Sequence, residues 1–505
     1  MDNQVIIIGA GVAGLSAGCY LQMNGYETRI FEMDTRPGGV CTAWKRKGYT
    51  IDGCMEWLVG SGPASWMHGV WQELGIIQSH SFIDHDAFMQ VEMSGGKALS
   101  LYVDPARLEQ HLMELAPEDG EAIRDLTGTM RKLEGFAMPE RKAPELTGLF
   151  DRLREGVSFL PYMGVLRRWG KVTVGEYTSR LRSPFLKEAL LAAVSDTPDF
   201  PLLALLMPMS WVQAKTAGYP RGGSFEFART IEQRYLGLGG KVTYRSRVEK
   251  ILVENDCAIG IRLADGTEHR GDTIISAADG RTTIFDMLEG KYAGEKVRGY
   301  YRDFKLYEPV VFAAFGVART FPEIPPSVGG LCLPLSQPQT IAGKERKHMV
   351  MHVYNFDPSM APAGKTVFRV MLGSPWDYWE QLHREPERYR AEKERVAQQV
   401  LAVLDRRFPG LAGQVEMTDV ATPVTLARYT GNWKGSFMGW RVTEETFGLR
   451  MRKTLPGLSK FYMVGQWVEP GGGLPPAATS GRGVAQILCK RDGKKFVAMK
   501  PSAPR

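Results

Sequence analysis

Three glycines close to the start of the chain, Gly9, Gly11 and Gly14, have the G-x-G-x-x-G spacing of a turn that binds a dinucleotide. In such a turn the first glycine permits the tight bend, the second lets the backbone approach a pyrophosphate, and the third lets helix and strand pack closely. The helix that follows points its unpaired N–H groups and its dipole at the phosphates. The pattern therefore predicts a backbone site for the diphosphate of a dinucleotide.

Glu32 lies eighteen residues after Gly14, at the end of a second apolar segment. A carboxylate at this point accepts hydrogen bonds from a ribose 2′-hydroxyl and repels a 2′-phosphate. The apolar runs at Val5–Ile8 and Thr28–Phe31 predict strands, and the segment from Leu15 to Asn24 between them predicts a helix. This context favours a nucleotide site over the alternative, a glycine-rich turn in an ordinary α/β unit.

Two further glycine groups suit the same cofactor, the first as a second approach to the dinucleotide and the second as a site for an anion or a carbonyl-rich ring. Gly38 and Gly39 follow Arg36 and Pro37 just after the acidic strand end, where paired glycines free backbone N–H groups. Near the other end of the chain, Gly471–Gly473 lie between a predicted strand at Phe461–Gln466 and a predicted helix at Ala477–Cys489. Plain loops are the structural alternative at both places.

The composition indicates a globular chain with room for two or three domains: 505 residues, of which 44% are hydrophobic and 24% charged. The net charge of +7 is mild for this length, and no basic tract has interleaved aromatics, so we expect no nucleic-acid partner. The six cysteines are scattered, and we expect a reduced, cytoplasmic chain without a signal peptide. A basic surface also favours anionic lipid, so peripheral membrane contact is a second expectation.

The segments between these motifs predict a second domain that faces the substrate. Residues 54–80 have a helical pattern, and Phe88–Met93 with Leu99–Val103 has the pattern of a hairpin. The stretch from about 106 to 219 is helical in tendency. Within it, Leu202–Val212 and the basic aromatic patch at Leu166–Lys171 suit either an apolar entrance on a membrane surface or a buried helix beside a solvated turn; the sequence leaves both open.

The motifs and their order resemble the flavoprotein superfamily that includes phytoene (carotenoid) desaturases, monoamine oxidases and Rab escort proteins. The resemblance rests on the first fingerprint, on Arg36–Gly39, on Tyr219–Gly223 and on the run from Gly465 through Gly473 to Pro475. It implies an α/β protein with a discontinuous Rossmann-type FAD-binding domain (1–80, 220–292 and 455–505). It also implies an α+β substrate domain with a mixed sheet and helices (81–219 and 293–454).

The resemblance and the motifs together assign seventeen residues to contact with FAD. These are Gly9, Gly11, Val12, Ala13, Gly14, Glu32, Met33, Arg36, Gly38, Gly39, Val40, Val248, Gly465, Gly472, Gly473, Leu474 and Pro475. The chain departs from the family pattern at Pro476, where a glycine is usual, which bears on the placement of the flavin edge.

One nucleotide fingerprint argues for FAD alone, so NAD(P)H would serve only as a transient reductant. We find no metal-binding motif and no nucleophile elbow, so we expect the flavin to carry the chemistry and the substrate to be an apolar small molecule. Glu56 is the candidate proton acceptor, the alternative being a helix N-terminal acid. Asp52, His348 and His352 are predicted to be structural.

Four functions are compatible with these motifs. The first is desaturation of an isoprenoid or polyene chain by hydride transfer to flavin N5. The second is an NAD(P)H-fed saturase or a double-bond isomerase of the same family, the third is a flavin amine oxidase, and the fourth is a non-catalytic lipid escort protein. The intact glycine motifs at both ends of the chain argue against the escort protein. The oligomeric state is left open.

Overall fold

A computed structural model of the chain describes residues 4–136, 142–443 and 445–499. The ends of the predicted FAD-binding domain, residues 1–3 and 500–505, therefore lie outside the described residues.

The described residues form twenty strands and sixteen α-helices. The strands are β1 (Gln4–Ile8), β2 (Glu27–Phe31), β3 (Ala43–Arg46), β4 (Tyr49–Asp52), β5 (Leu58–Val59), β6 (Phe82–Ile83), β7 (Ala87–Glu92), β8 (Ala98–Tyr102), β9 (Ala217–Pro220), β10 (Lys241–Thr243), β11 (Val248–Glu254), β12 (Cys257–Leu263), β13 (Glu268–Arg270), β14 (Thr273–Ser276), β15 (Val310–Val317), β16 (Leu331–Ile341), β17 (Lys344–Val353), β18 (Thr366–Gly373), β19 (Val415–Ala421) and β20 (Phe461–Met463). The helices are α1 (Val12–Met23), α2 (Met67–Glu73), α3 (Ile76–Ser79), α4 (Pro105–Leu115), α5 (Gly120–Leu133), α6 (Leu149–Phe159), α7 (Met163–Trp169), α8 (Val174–Ser179), α9 (Pro184–Ala193), α10 (Leu202–Gln213), α11 (Gly223–Gly237), α12 (Glu295–Asp303), α13 (Trp376–His383), α14 (Pro386–Arg407), α15 (Pro423–Thr430) and α16 (Leu474–Arg491).

A five-stranded parallel sheet carries the nucleotide motifs, in the strand order β10-β2-β1-β14-β20. Its central strand β1 is buried from Val5 to Ile8, as its unbroken apolar sequence requires. Helix α1 packs against α11 and α16. Because all five strands run the same way, their carboxyl ends meet at one edge of the sheet, which is where open α/β sheets bind ligands.

A seven-stranded mixed sheet forms the other large layer, in the order β19-β15-β18-β17-β16-β7-β8. The β16–β7 pair is parallel and the other neighbours are antiparallel. Strand β15 is buried along its whole length, with α14 packed on the sheet. Helices α4, α5, α9 and α10 share a further apolar core with β7 and β8.

The prediction of helix for residues 54–80 is wrong for the first half of the segment. Only α2 and α3 are helical there, whereas Leu58 and Val59 form β5 and pair with Gly218 and Ala217 of β9. Pairing with a distant strand satisfies this backbone, and the local sequence pattern contains no sign of that partner.

The architecture confirms the predicted class, an α/β protein with a Rossmann-type unit and an α+β part built on a mixed sheet. The predicted domain boundaries place every strand of the parallel sheet in one domain and every strand of the mixed sheet in the other; the boundaries themselves stay a prediction. Among the described residues, no helix has both the length and the apolar character needed to cross a bilayer.

Candidate active site

The first glycine turn joins β1 to α1 at the carboxyl edge of the parallel sheet. Gly9 has a φ of 99°, in the region that favours glycine, and a Cβ on Gly14 would lie 2.0 Å from the Gly9 carbonyl oxygen. Helix α1 begins at Val12, three residues earlier than predicted, and its N-cap Gly11 has no side chain to cap the first turn. The N–H groups of that turn are therefore available to an anion.

Glu32 connects the glycine turn to the loop that follows β2. Its carboxylate accepts hydrogen bonds from the backbone N–H of Ala10 at 2.6 Å and of Asp34 at 2.8 Å. Burial raises the pKa of Glu32, and these backbone hydrogen bonds oppose the rise. Each carboxylate oxygen keeps a second lone pair, so the residue can still accept a ribose hydroxyl, as the sequence predicts.

The second glycine pair lies against the first turn. The N–H of Gly38 donates to the carbonyl oxygen of Ala10 at 2.9 Å, and Gly38 forms a β-bridge with Gly11. Arg36 does not line the cavity described below. Its guanidinium instead donates to the carbonyl oxygen of Ala43 at 3.2 Å and lies 5.7 Å from the ring centre of Phe225.

The C-terminal glycines close the same edge of the sheet. Helix α16 begins at Leu474, three residues before the predicted start, with Gly473 as its N-cap. Gly472 has a φ of 58°, and a Cβ on it would lie 2.2 Å from the carbonyl oxygen of Met438. By contrast, a Cβ on Gly473 would meet nothing within 4 Å, because this residue faces open space.

Most of the residues predicted to contact the cofactor line one cavity of about 1680 Å³. These fifteen are Gly9, Gly11, Val12, Ala13, Glu32, Met33, Gly38, Gly39, Val40, Val248, Gly465, Gly472, Gly473, Leu474 and Pro475. Gly14 and Arg36 do not line it, and Gly14 instead packs against the turn. The contacts of all seventeen residues with FAD stay a prediction.

The other half of the cavity is apolar, and helix α10 forms much of its wall. Leu203, Met207 and Trp211 line the cavity, whereas Leu206 and Met209 are buried in the core behind them. The structure therefore favours the alternative of a buried helix for Leu202–Val212. A helix that is apolar all round is covered on all sides, and here a core covers one side and the cavity the other.

The residues present fit FAD. The cavity has uncapped N–H groups at the start of α1 and glycines without side chains at both ends of the chain. Its volume exceeds the roughly 300–1,000 Å³ of a pocket for one small ligand. The cavity thus has space for a dinucleotide on its glycine-rich side and for an apolar molecule on the other side.

An ionic cluster lies at the cavity wall. Glu56 lines the cavity, and its Oε1 accepts a hydrogen bond from Nη2 of Arg369 at 3.0 Å. Nε2 of His352 lies 3.4 Å from the same oxygen, and Nδ1 of His352 lies 3.1 Å from Nη2 of Arg369. The guanidinium of Arg369 therefore holds the carboxylate of Glu56 in place at the cavity wall.

Arg369 is the residue that sequence reasoning missed. Its side chain is 1% exposed, its Nη1 donates to the carbonyl oxygen of Asp52 at 2.9 Å, and its Nε has no hydrogen-bond partner among the described residues. The available signal was a single arginine inside the apolar strand β18, since a buried guanidinium requires a partner.

Asp52 has the structural role that the sequence predicts. Its buried carboxylate accepts hydrogen bonds from the backbone N–H of Cys54, Met55 and Ser224 and from the hydroxyl of Tyr219. These bonds hold the segment before Glu56 in a turn. The next helix, α2, begins only at Met67, so Glu56 is not a helix N-terminal acid.

His352 makes the free energy of unfolding depend on pH. Burial lowers its pKa to about 4, below the unfolded value of 6.5, with smaller effects of Glu56 and Arg369. The unfolded chain therefore binds the extra proton between pH 6.5 and 4, and stability falls as the pH drops through that window. In the variant His352→Gln the amide oxygen can still accept a hydrogen bond from Arg369. Between pH 7 and 5 we expect the free energy of unfolding of this variant to fall by about 1–2 kcal/mol less than that of the wild type. Urea unfolding of both proteins at the two pH values measures this; parallel losses would contradict it.

Comparison with known proteins defines the class. The model of the flavin containing amine oxidoreductase family matches residues 12–489. The chain therefore belongs to this family, and it is an FAD-dependent oxidoreductase. This confirms the predicted enzyme over the non-catalytic escort protein.

Individual relatives place the chain near the carotenoid enzymes, which confirms the resemblance found in the sequence. It is 24% identical to phytoene desaturase (neurosporene-forming) of Rhodobacter capsulatus, over 96% of this chain and 94% of the relative. It is 23% identical to the chloroplastic prolycopene isomerase of Arabidopsis thaliana, over 94% of this chain and 81% of the relative. An oxidoreductase structure from Methanosarcina mazei has a TM-score of 0.58 at 18% identity, covering 96% of this chain and all of that one, and shows the shared fold.

Proposed function

We propose that this enzyme desaturates a long apolar isoprenoid or polyene substrate that binds in the cavity beside FAD. The observation that carries the proposal is the continuity of the cavity, which runs from the glycine turns to an apolar wall that includes Leu203, Met207 and Trp211. The relatives named for phytoene and prolycopene support a substrate of this class. Helix α10 contributes no charged side chain to this wall, which favours such a chain over an amine.

Bound FAD supplies the acceptor for a hydride and its two electrons. The chain's own part is to hold the substrate against the glycine-rich half, to exclude water with the apolar wall, and to take a proton. A CH–CH unit that becomes C=C loses a hydride from one carbon and a proton from the next, and we assign the proton to the carboxylate of Glu56. Arg369 and His352 position this carboxylate.

A second candidate has a specific observation in its favour. The prolycopene isomerase is as similar to this chain as the phytoene desaturase is, at 23% against 24% identity. The same site would then isomerise a double bond, or saturate one with electrons from NAD(P)H. Both alternatives require reduced FAD at the start of the reaction, whereas desaturation requires oxidised FAD.

An anaerobic absorbance experiment on the FAD-loaded protein tests the proposal. We expect phytoene in detergent to bleach the flavin bands and to produce the longer-wavelength bands of a more conjugated product. Bleaching by NADPH or NADH, with no response to phytoene, would instead establish the saturase or isomerase. Bleaching by cyclohexylamine would establish an amine oxidase. A protein that binds no FAD would contradict all of these functions.

A further inference from the structure

Helix α6 exposes an apolar face that no part of the described chain covers. None of its eleven residues is buried. Leu149, Phe150, Leu153 and Val157 are between 62% and 87% exposed, and at 3.6 residues per turn they fall within about 100° of arc. Leu160 and Met163 extend this face with 63% and 51% exposure. Contiguous exposed apolar residues of this kind mark interaction sites, whereas scattered ones are ordinary.

Polar contacts fix the opposite side of α6 to the protein. Glu155 forms an ion pair with Arg450, and Glu145, just before the helix, accepts a hydrogen bond from the backbone N–H of Lys453 at 2.5 Å. Asp151 accepts from the backbone N–H of Gly148 at 2.9 Å at the start of the helix. The three carboxylates of this region are therefore engaged with protein groups, and the apolar face is held outward.

The charge around the apolar face is basic. Residues 142–171 contain six basic and three acidic side chains, a net charge of +3. Arg152 and Arg154 on α6 and Arg167 and Arg168 on α7 are all exposed. Apolar side chains on one face of a helix with basic residues beside them are typical of a helix that lies in the interface of an anionic membrane.

The same segment also forms part of the cavity wall. Phe159, at the end of α6, and Leu166, on α7, line the cavity. The buried Phe136 connects them to α10, with ring centres 4.8 Å from Tyr162 and 6.5 Å from the cavity-lining Trp211. The segment that exposes the apolar face therefore also contributes side chains to the cavity lining.

We propose that the face formed by Leu149, Phe150, Leu153, Val157, Leu160 and Met163 inserts into an anionic lipid bilayer, and that the substrate passes from that leaflet into the cavity. The passage of substrate rests on the proposed function, whereas the insertion rests on exposure and charge alone. A second copy of the chain fits this face less well, because a symmetric pair would place one basic surface against another. The membrane contact expected from the sequence is thus assigned to α6 and not to α10.

Vesicle flotation of the FAD-loaded chain tests the docking face without any substrate. The probes are vesicles of phosphatidylcholine with phosphatidylglycerol and vesicles of phosphatidylcholine alone. We expect the wild type to float with the mixed vesicles and more weakly with the neutral ones. The variant Phe150→Asp/Leu153→Asp/Val157→Asp should lose about 100-fold in partition coefficient, because each change replaces a membrane-embedded apolar group with a charge. Leu236→Asp, at a leucine of α11 that is 39% exposed, is the matched control and should float as the wild type does.

Other outcomes of these experiments would overturn the proposed docking face or the proposed substrate. A wild type that stays at the bottom of the gradient, or a triple variant that floats as well as the wild type, would overturn the proposal. A wild-type dimer in sedimentation equilibrium that the triple variant dissociates would assign the face to a second copy instead. A chain that floats but shows no flavin bleaching with phytoene would refute the proposed substrate and leave the docking face standing.

Discussion

Glu56→Gln is expected to lower the rate of flavin reduction by the substrate about 100-fold or more, which is the usual contribution of a positioned proton acceptor. Glutamine keeps the size of the side chain and can accept the hydrogen bond that Arg369 now donates to Oε1 at 3.0 Å. The fold and the bound FAD should therefore persist while the proton acceptor is lost. Single-turnover reduction under anaerobic conditions, with FAD content read from the absorbance spectrum, measures the effect.

The control for this substitution is Glu308→Gln. Glu308 is an exposed carboxylate whose Oε2 accepts from Lys344 at 2.8 Å, outside the cavity. We expect no change in its reduction rate. If Glu56→Gln reduces FAD at the wild-type rate, Glu56 is not the proton acceptor, and its carboxylate serves only as the partner of Arg369. If FAD content falls with the rate, the residue serves cofactor binding instead.

Gly14→Ala is expected to yield protein largely free of FAD. The added Cβ would lie 2.0 Å from the carbonyl oxygen of Gly9 and 3.1 Å from the Cβ of Ala277. Because both are held by the parallel sheet, α1 must move away from the turn, which displaces the N–H groups at the proposed phosphate site. Overpacking of this kind costs about 1–3 kcal/mol of stability. Thermal unfolding and FAD content after purification measure the two effects.

Gly69→Ala is the matched control, since Gly69 also lies within a helix, α2, but has nothing within 4 Å of the added Cβ. This change should leave FAD content unaltered and raise stability by up to about 1 kcal/mol, the usual gain of alanine over glycine in a helix. Full FAD occupancy in Gly14→Ala would show that the close approach of α1 to the turn is not required for the cofactor.

Two predictions that rest on turn residues agree with the structure, whereas the helix predicted for residues 54–80 is wrong in its first half. The glycine turn at Gly9–Gly14 and the hairpin from Ala87 to Tyr102 depend on turns and alternation, which a short segment settles by itself. The N-cap of α4 is of the same local kind, since the carboxylate of Asp104 accepts a hydrogen bond from the N–H of Arg107. Steric and hydrogen-bonding rules of this kind act over a few residues, so the sequence contains them.

The cluster around Glu56 could not be assembled in this way. Glu56, His352 and Arg369 are separated by up to 313 positions, and only the packing of β17 and β18 against the turn after Asp52 brings them together. A strand pattern predicts that β18 is buried, but it does not predict which carboxylate the arginine of that strand will meet.

By itself the sequence determined the nucleotide turns, the fold class and the membership of a flavoenzyme family, because these follow from local backbone geometry and from motif order. Only the tertiary structure decided which apolar segments are covered. Helix α10 is apolar on all sides and α6 is amphipathic, and both present an apolar helical surface that needs a cover, yet α10 is enclosed by core and cavity while the apolar face of α6 lies outward. Burial is a property of what packs against a segment, and that partner lies elsewhere in the chain.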